Sequence, residues 1–245
     1  VSVYGLVAYD GTAFHGFQYQ VGVPTIQGVL DSSLRAFADL DGRVAGAGRT
    51  DAGVHAAGQV IAARVAWQHS VAELRRAWNA HLPPSIYIHA MALAPEGFHP
   101  RFSATGRTYR YSVYQADGTV GREKPYHSPL TDRYALFVPA SLDVKAMQSA
   151  AQHLVGEHDF ATFGQPPQGE NTIRRVTVAD WHMVHTDLST LQQFPGDRLV
   201  FTISANAFLR RMVRNIVGSL LEVGKGSWPS SDVMQRLALA DRHYS

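Results

Sequence analysis

Ten consecutive residues, Gly46-Ala47-Gly48-Arg49-Thr50-Asp51-Ala52-Gly53-Val54-His55, concentrate most of the chemical interest of this sequence. One carboxylate, Asp51, stands among small residues with Thr50 beside it and Arg49 two positions away. Three glycines within eight positions (46, 48 and 53) permit φ > 0 and let backbone approach a ligand closely. An acid displayed on such a loop reads as the reactive group of an active site. The plain alternative is a turn former or helix N-cap, the usual work of a lone Asp among small residues.

Two further clusters could handle a polyanion. In Arg107-Thr108-Tyr109-Arg110-Tyr111, strand alternation puts Tyr109 and Tyr111 on one face and Arg110 on the other. That is either a half-buried tyrosine pair in a sheet or an aromatic platform that stacks a base. Arg101, Arg107 and Arg110 fall within ten residues, and Arg210, Arg211 and Arg214 within five. Arginine forks suit phosphate, although a solvated basic face explains them equally well. Arg211 and Arg214 also border a dense apolar stripe, where an arginine either snorkels or meets a buried acid.

Several chemistries are absent. The chain has 245 residues and no cysteine, which removes disulfides, thiolate metal sites and a cysteine nucleophile together. His55, His81, His89, His99, His153 and His158 have no metal-ligand spacing, so no metal is expected. Gly46-x-Gly48 lacks the third glycine of a dinucleotide loop; Gly-Lys-Ser/Thr and Gly-x-Ser-x-Gly do not occur. Nor is there a carboxylate pair suited to acid–base hydrolysis. No apolar run reaches the roughly 18–20 residues of a membrane span, and the opening residues do not form a signal peptide. The cytoplasm is therefore the expected compartment. A formal net charge of +2 does not by itself announce a nucleic-acid partner.

The elements that must carry these groups follow from periodicity. Strands are expected at 1–9, 43–47, 55–65, 86–93, 105–114, 174–185 and 199–205, with helices at 25–40, 70–82, 141–154, 208–223 and 229–240. Ser70-x-x-Glu73 is a capping-box signal. Segments 118–129 and 160–171 read as loops, and a polar turn lies near Pro195-Gly196. Each half mixes strands and helices without strict alternation, so the expected class is α+β with largely antiparallel mixed sheets. The boundary is expected within 96–104, giving domains 1–100 and 101–245.

The combination of segments resembles the TruA family of tRNA pseudouridine synthases. The resemblance rests on residues 48–56 (Gly-Arg-Thr-Asp-Ala-Gly-Val-His-Ala), on Thr108-Tyr109-Arg110-Tyr111, and on residues 205–209 and 212–218. Tyr9-Asp10-Gly11-Thr12, Phe14-His15-Gly16-Phe17-Gln18, residues 25–30 and residues 220–226 match in the same order. It implies a pseudouridine synthase fold: two α/β subdomains joined around a central cleft, the first carrying the aspartate loop. By the same resemblance Asp51 is the catalytic aspartate, Tyr109 stacks the base, Arg214 pairs with Asp51, and Arg49 is a second pocket arginine. Arg110, Arg210 and Arg211 are expected to hold substrate. A guanidinium beside Asp51 would favour its charged form.

The implied reaction isomerises uridine to pseudouridine at positions 38–40 of the tRNA anticodon stem-loop. Uracil leaves the ribose through N1, rotates and rejoins through C5, so no cofactor is expected. Asp51 attacks sugar or base, or acts as a base at the ribose; the residues leave this open. A homodimer with tRNA across both subunits is implied. Two departures are visible: Arg210-Arg211 stands where the family often has His-His, and the family's terminal Gly-Leu-Tyr-Leu strand is missing, so the ends read as trimmed. A non-catalytic RNA-binding module and a nucleotide-binding enzyme are the competing readings.

Overall fold

Val3, Val7 and Tyr9 share one side of β1 (Ser2–Tyr9), each at most 4% exposed, because alternate side chains of a strand face alternate sides. In a computed structural model that describes residues 1–115, 132–166, 169–184 and 198–240, this strand lies inside a four-stranded sheet. Its neighbours are β2 (Asp39–Gly46), β3 (Ala56–Ala66) and β4 (Ile86–Leu93), in the order β2-β3-β1-β4. Every pairing is antiparallel. Helices α1 (Ile26–Arg35) and α2 (Val71–His81) complete a βαββαβ succession. These elements make up a first unit, Val1–Ala104; the second is Thr105–Ser245.

In the first unit Ile26, Leu30 and Leu34 of α1 and Leu74 and Trp78 of α2 pack with Val3, Val7, Ile61 and Ile88 in one core. Local signals start both helices. Thr25 Oγ1 accepts from the Gly28 amide, and Ser70 and Glu73 form the reciprocal capping box. Trp78 Nε1–H donates to Ser33 Oγ at 2.9 Å, locking α2 onto α1. Asp31, 2% exposed, accepts from the Val44 amide and from Arg43 Nη1, both at 2.8 Å. A buried carboxylate needs such partners. It fastens the β2–β3 hairpin, and hence the loop at its tip, to α1.

The second unit contains β5 (Arg107–Gln115), β6 (Leu136–Val138), β7 (Gly156–Asp159), β8 (Ile173–Val184) and β9 (Arg198–Ala205). Their order is β6-β5-β9-β8-β7, with β5 and β6 parallel and the other pairs antiparallel. Helices α3 (Val144–Gln152), α4 (Met212–Gly224) and α5 (Ser231–Leu239) and a 3₁₀ turn (Ala161–Phe163) accompany the sheet. Phe160, Phe163, Phe201, Met147, Ile216 and Leu220 lie in its core. At the α3–α4 contact a Cβ on Gly224 would stand 2.4 Å from Met147 Sδ, so a larger residue there would push the Met147 side chain aside.

The α+β class with largely antiparallel sheets is thus observed. Short β6 and β7 were not expected from periodicity, because three or four residues carry too little alternation to register. The helix expected from Phe208 begins at Met212 instead. Its apolar pattern extends back to Phe208 because Phe208 and Leu209 also face the core, from a turn. The loop expected at 118–129 and the turn near Pro195-Gly196 lie outside the described residues.

The capping box makes α2 pH-sensitive. The Glu73 carboxyl is held below its ordinary value, first by the hydrogen bond with the Ser70 side chain and then by the Ser70 amide. A pKa depressed on folding gives stability that is present above the unfolded value and lost as pH falls through the folded value. Glu73→Gln should therefore flatten the acid limb of the stability profile, read from urea midpoints between neutral and acid pH. A variant profile parallel to wild type would contradict it.

Candidate active site

The loop of residues 47–55 joins β2 to β3. The ladder runs one residue past the strand, where the Ala47 amide donates to Val60 O at 2.8 Å. The chain then turns through Asp51–Val54, closed by the Val54 amide donating to Asp51 O at 3.2 Å. Gly53 has φ +77° at the third position of this turn, where a positive φ favours glycine. Gly46 and Gly48 do not have positive φ. The small size of Gly46 is used by the protein itself, since a Cβ there would sit 2.6 Å from the Phe17 ring. Gly46 thus has a use inside the protein in addition to the close ligand approach expected of the loop glycines, while a Cβ on Gly53 would meet open space.

Tyr9 at the end of β1 and residues 10–17, between β1 and α1, press against this loop. The Phe17 amide donates to Thr50 O at 3.0 Å, and the Gly53 amide donates to Phe14 O at 3.2 Å. Tyr9 OH and Thr50 Oγ1 are 2.8 Å apart. Two glycines make the approach possible: a Cβ on Gly11 would fall 2.0 Å from Val54 O, and one on Gly16 (φ +89°) 2.7 Å from Thr50 O. At the far end His55 Nδ1 lies 3.1 Å from both the Gly11 amide and Asp10 Oδ1. A lone pair on Nδ1 accepts from Gly11, whereas a proton there donates to Asp10. Both arrangements tie His55 to the 10–12 turn.

Asp51 itself is exposed, and within the first unit no hydrogen bond or ion pair occupies its carboxylate. The arrangement fixes the backbone on several sides and leaves the acid group unengaged by its own unit. A turn former or N-cap uses its side-chain oxygens on nearby amides. Asp51 does not. Arg49 is also exposed on this loop.

The other expected site residues belong to the second unit. Tyr109 pairs in register with Ile203 of β9 and is half-buried against the core, its ring perpendicular to Phe208 with centroids 5.0 Å apart. Arg110 points to the opposite face of β5, opposite Thr202, and is exposed. Tyr109 and Arg110 are therefore not neighbours on one surface. Arg210 and Arg211 precede α4 rather than belonging to it. Arg210 bridges to Gln165, its amide donating to Gln165 O at 2.8 Å. Arg211 caps the helix in the left-handed region at φ 63°, a conformation costing a non-glycine residue roughly 1–2 kcal/mol. Gly164 packs under this turn, where a Cβ would lie 2.6 Å from Arg210 O. Asn215 Nδ2 donates to Phe163 O at 2.9 Å. Arg214 lies in the first turn of α4, and Arg210, Arg211 and Arg214 are all exposed.

Residues 6–103 and 150–244 match the profile of a family described as tRNA pseudouridine synthase. The chain belongs to this family. It is 40% identical over 237 residues to tRNA pseudouridine synthase A of Roseiflexus castenholzii, covering 96% of this chain and 82% of that protein. The protein of the same name from Azorhizobium caulinodans is 37% identical over 243 residues (96% and 85% covered). That from Pseudothermotoga lettingae is 35% identical over 238 residues (97% and 90% covered). The matched segments contain Arg49, Asp51, Arg210, Arg211 and Arg214, while Tyr109 and Arg110 fall between them. Among the described residues no group of three or more His, Cys, Asp or Glu could hold a metal, and no helix is long and apolar enough to cross a membrane.

Sequence reasoning cited Tyr9, Gly11, Gly16 and Phe17 only for the family resemblance and gave them no part in holding the loop. Two glycines between a strand and a capped helix were the available signal, but spacing alone does not say which loop they face. The geometry yields a ranking. Gly11→Ala forces a backbone shift and should cost about 2–3 kcal/mol of stability. Gly53→Ala meets open space and should cost about 1 kcal/mol for its φ alone. Urea denaturation of both variants measures the difference; Gly53→Ala as the more damaging change would contradict it.

Proposed function

We propose that this chain converts uridine to pseudouridine at positions 38–40 of the tRNA anticodon stem-loop, with Asp51 as the reactive group and without a cofactor. Family membership and the names of its relatives support pseudouridylation of tRNA. The observation that carries the role of Asp51 is the loop: a carboxylate unengaged by its own unit on a backbone held by Tyr9, Phe14 and Phe17.

The reaction breaks the N1–C1′ bond and forms a C5–C1′ bond; the C5 proton is lost and N1 gains one. Atoms and electrons balance within the nucleoside. The chemistry needs one ionised carboxylate, acting as nucleophile on sugar or base or as a base at the ribose. Arg214 is its partner guanidinium and Arg49 a second pocket cation. Tyr109 stacks the uracil, with Phe208 limiting how its ring can turn; such stacking contributes about 1–3 kcal/mol per base. A uridine in a stem reaches Asp51 only after flipping out, at a cost of a few kcal/mol. Phosphate contacts by Arg110, Arg210 and Arg211 offset part of that cost. The acting species is a homodimer in the cytoplasm, with tRNA spanning both subunits.

Mapping pseudouridine in tRNA incubated with wild-type and Asp51→Asn protein tests this reading. The wild type should modify positions 38–40, and the variant should modify none while binding tRNA with affinity within a few-fold of wild type. Turnover by Asp51→Asn would refute it. The double variant Arg210→Ala/Arg211→Ala should lower the slope of log K against log salt by about 1.5, the equivalent of two phosphate contacts. An unchanged slope would remove both arginines from the RNA interface.

A further inference from the structure

Tyr9 closes β1 and is 4% exposed, paired with Ala56 of β3 on one side and Ile86 of β4 on the other. The strand is irregular on both flanks just before it, with register shifts between Val7 and Tyr9 toward β3 and between Leu6 and Val7 toward β4. Bulges near a site re-aim side chains. Here the last side chain of β1 is directed to the loop: its hydroxyl meets Thr50 Oγ1 at 2.8 Å. Phenylalanine would fill the same apolar space, so the hydroxyl is the informative group. Thr50 is thereby held twice, through Oγ1 by Tyr9 and through its carbonyl by the Phe17 amide. The next residue in the chain is Asp51.

We infer that Tyr9 is a positioning residue for Asp51, acting through Thr50. The inference rests on the reading of Asp51 as the reactive group. With both ends of Thr50 fixed, the Asp51 Cα cannot swing about the 49–50 backbone. A carboxylate displaced by about 1 Å loses on the order of a hundredfold in rate, while contacts distant from the chemistry still bind substrate. Loss of the hydroxyl pair should therefore appear in kcat and leave KM near its wild-type value.

Kinetics of pseudouridine formation on tRNA by Tyr9→Phe, Thr50→Val, Thr50→Ser and the double variant Tyr9→Phe/Thr50→Val provide the test, with Asp51→Ala as reference. Tyr9→Phe and Thr50→Val should each lower kcat about ten- to a hundredfold, with KM within about twofold. The double variant should be no slower than the worse single one, since both remove the same contact. Thr50→Ser, which retains the hydroxyl, should recover most of the rate. Wild-type kcat in Tyr9→Phe with an inactive Asp51→Ala overturns the positioning role alone. Multiplicative losses in the double variant, or a Thr50→Ser as slow as Thr50→Val, overturn it too. An active Asp51→Ala overturns both this inference and the reading beneath it.

Discussion

The hydrogen bonds from the Phe17 amide to Thr50 O and from the Gly53 amide to Phe14 O join two segments that are distant in sequence. Each bond contributes only about 1 kcal/mol net. Their importance is geometric, because they fix peptide planes on both sides of Asp51. A loop of small residues has little side-chain packing with which to hold itself. Backbone contacts from a neighbour provide that rigidity without occupying the Asp51 carboxylate. Gly11 and Gly16 let the two backbones meet, and the Tyr9 hydroxyl adds a side-chain link at Thr50. Further back, Asp31 ties the hairpin to α1, so the loop stands on an element anchored in the core.

The second unit solves a related problem with different means. Arg210 and Arg211 emerge from the turn between β9 and α4, where regular hydrogen bonding has ended. The bridge of Arg210 to Gln165 and the close packing of Gly164 hold that turn. They leave Arg211 in the left-handed region despite its side chain. Local strain of this kind persists where surrounding contacts over-determine the backbone. Asn215, reaching back to Phe163 O, secures the first turn of α4 on which Arg214 is carried. Tyr109 comes instead from mid-strand, where the β5–β9 ladder sets its direction.

Much of this was readable from residue order. The long strands and the amphipathic helices follow from periodicity, and the Ser70–Glu73 box marked the start of α2. The aspartate loop was conspicuous because one acid stands among three glycines within eight positions. Two things escaped. The start of α4 was misread because Phe208 and Leu209 are apolar at helical spacing yet reach the core from a turn. What packs against Gly11, Gly16 and Gly46 was not legible, because a sequence shows that a glycine is present, not what approaches it. Phe17 beside Gly46, and the carbonyls of Val54 and Thr50 beside Gly11 and Gly16, are long-range contacts that local pattern cannot supply.

The central claim is that reactivity depends on a single carboxylate held at a fixed position. Single-turnover pseudouridine formation by Asp51→Glu tests it most directly, because glutamate keeps the charge and moves it outward by one methylene. The clamped backbone cannot retreat to compensate, so the rate should fall by about a hundredfold or more while tRNA affinity is retained. A glutamate variant within a few-fold of the wild-type rate would contradict the account.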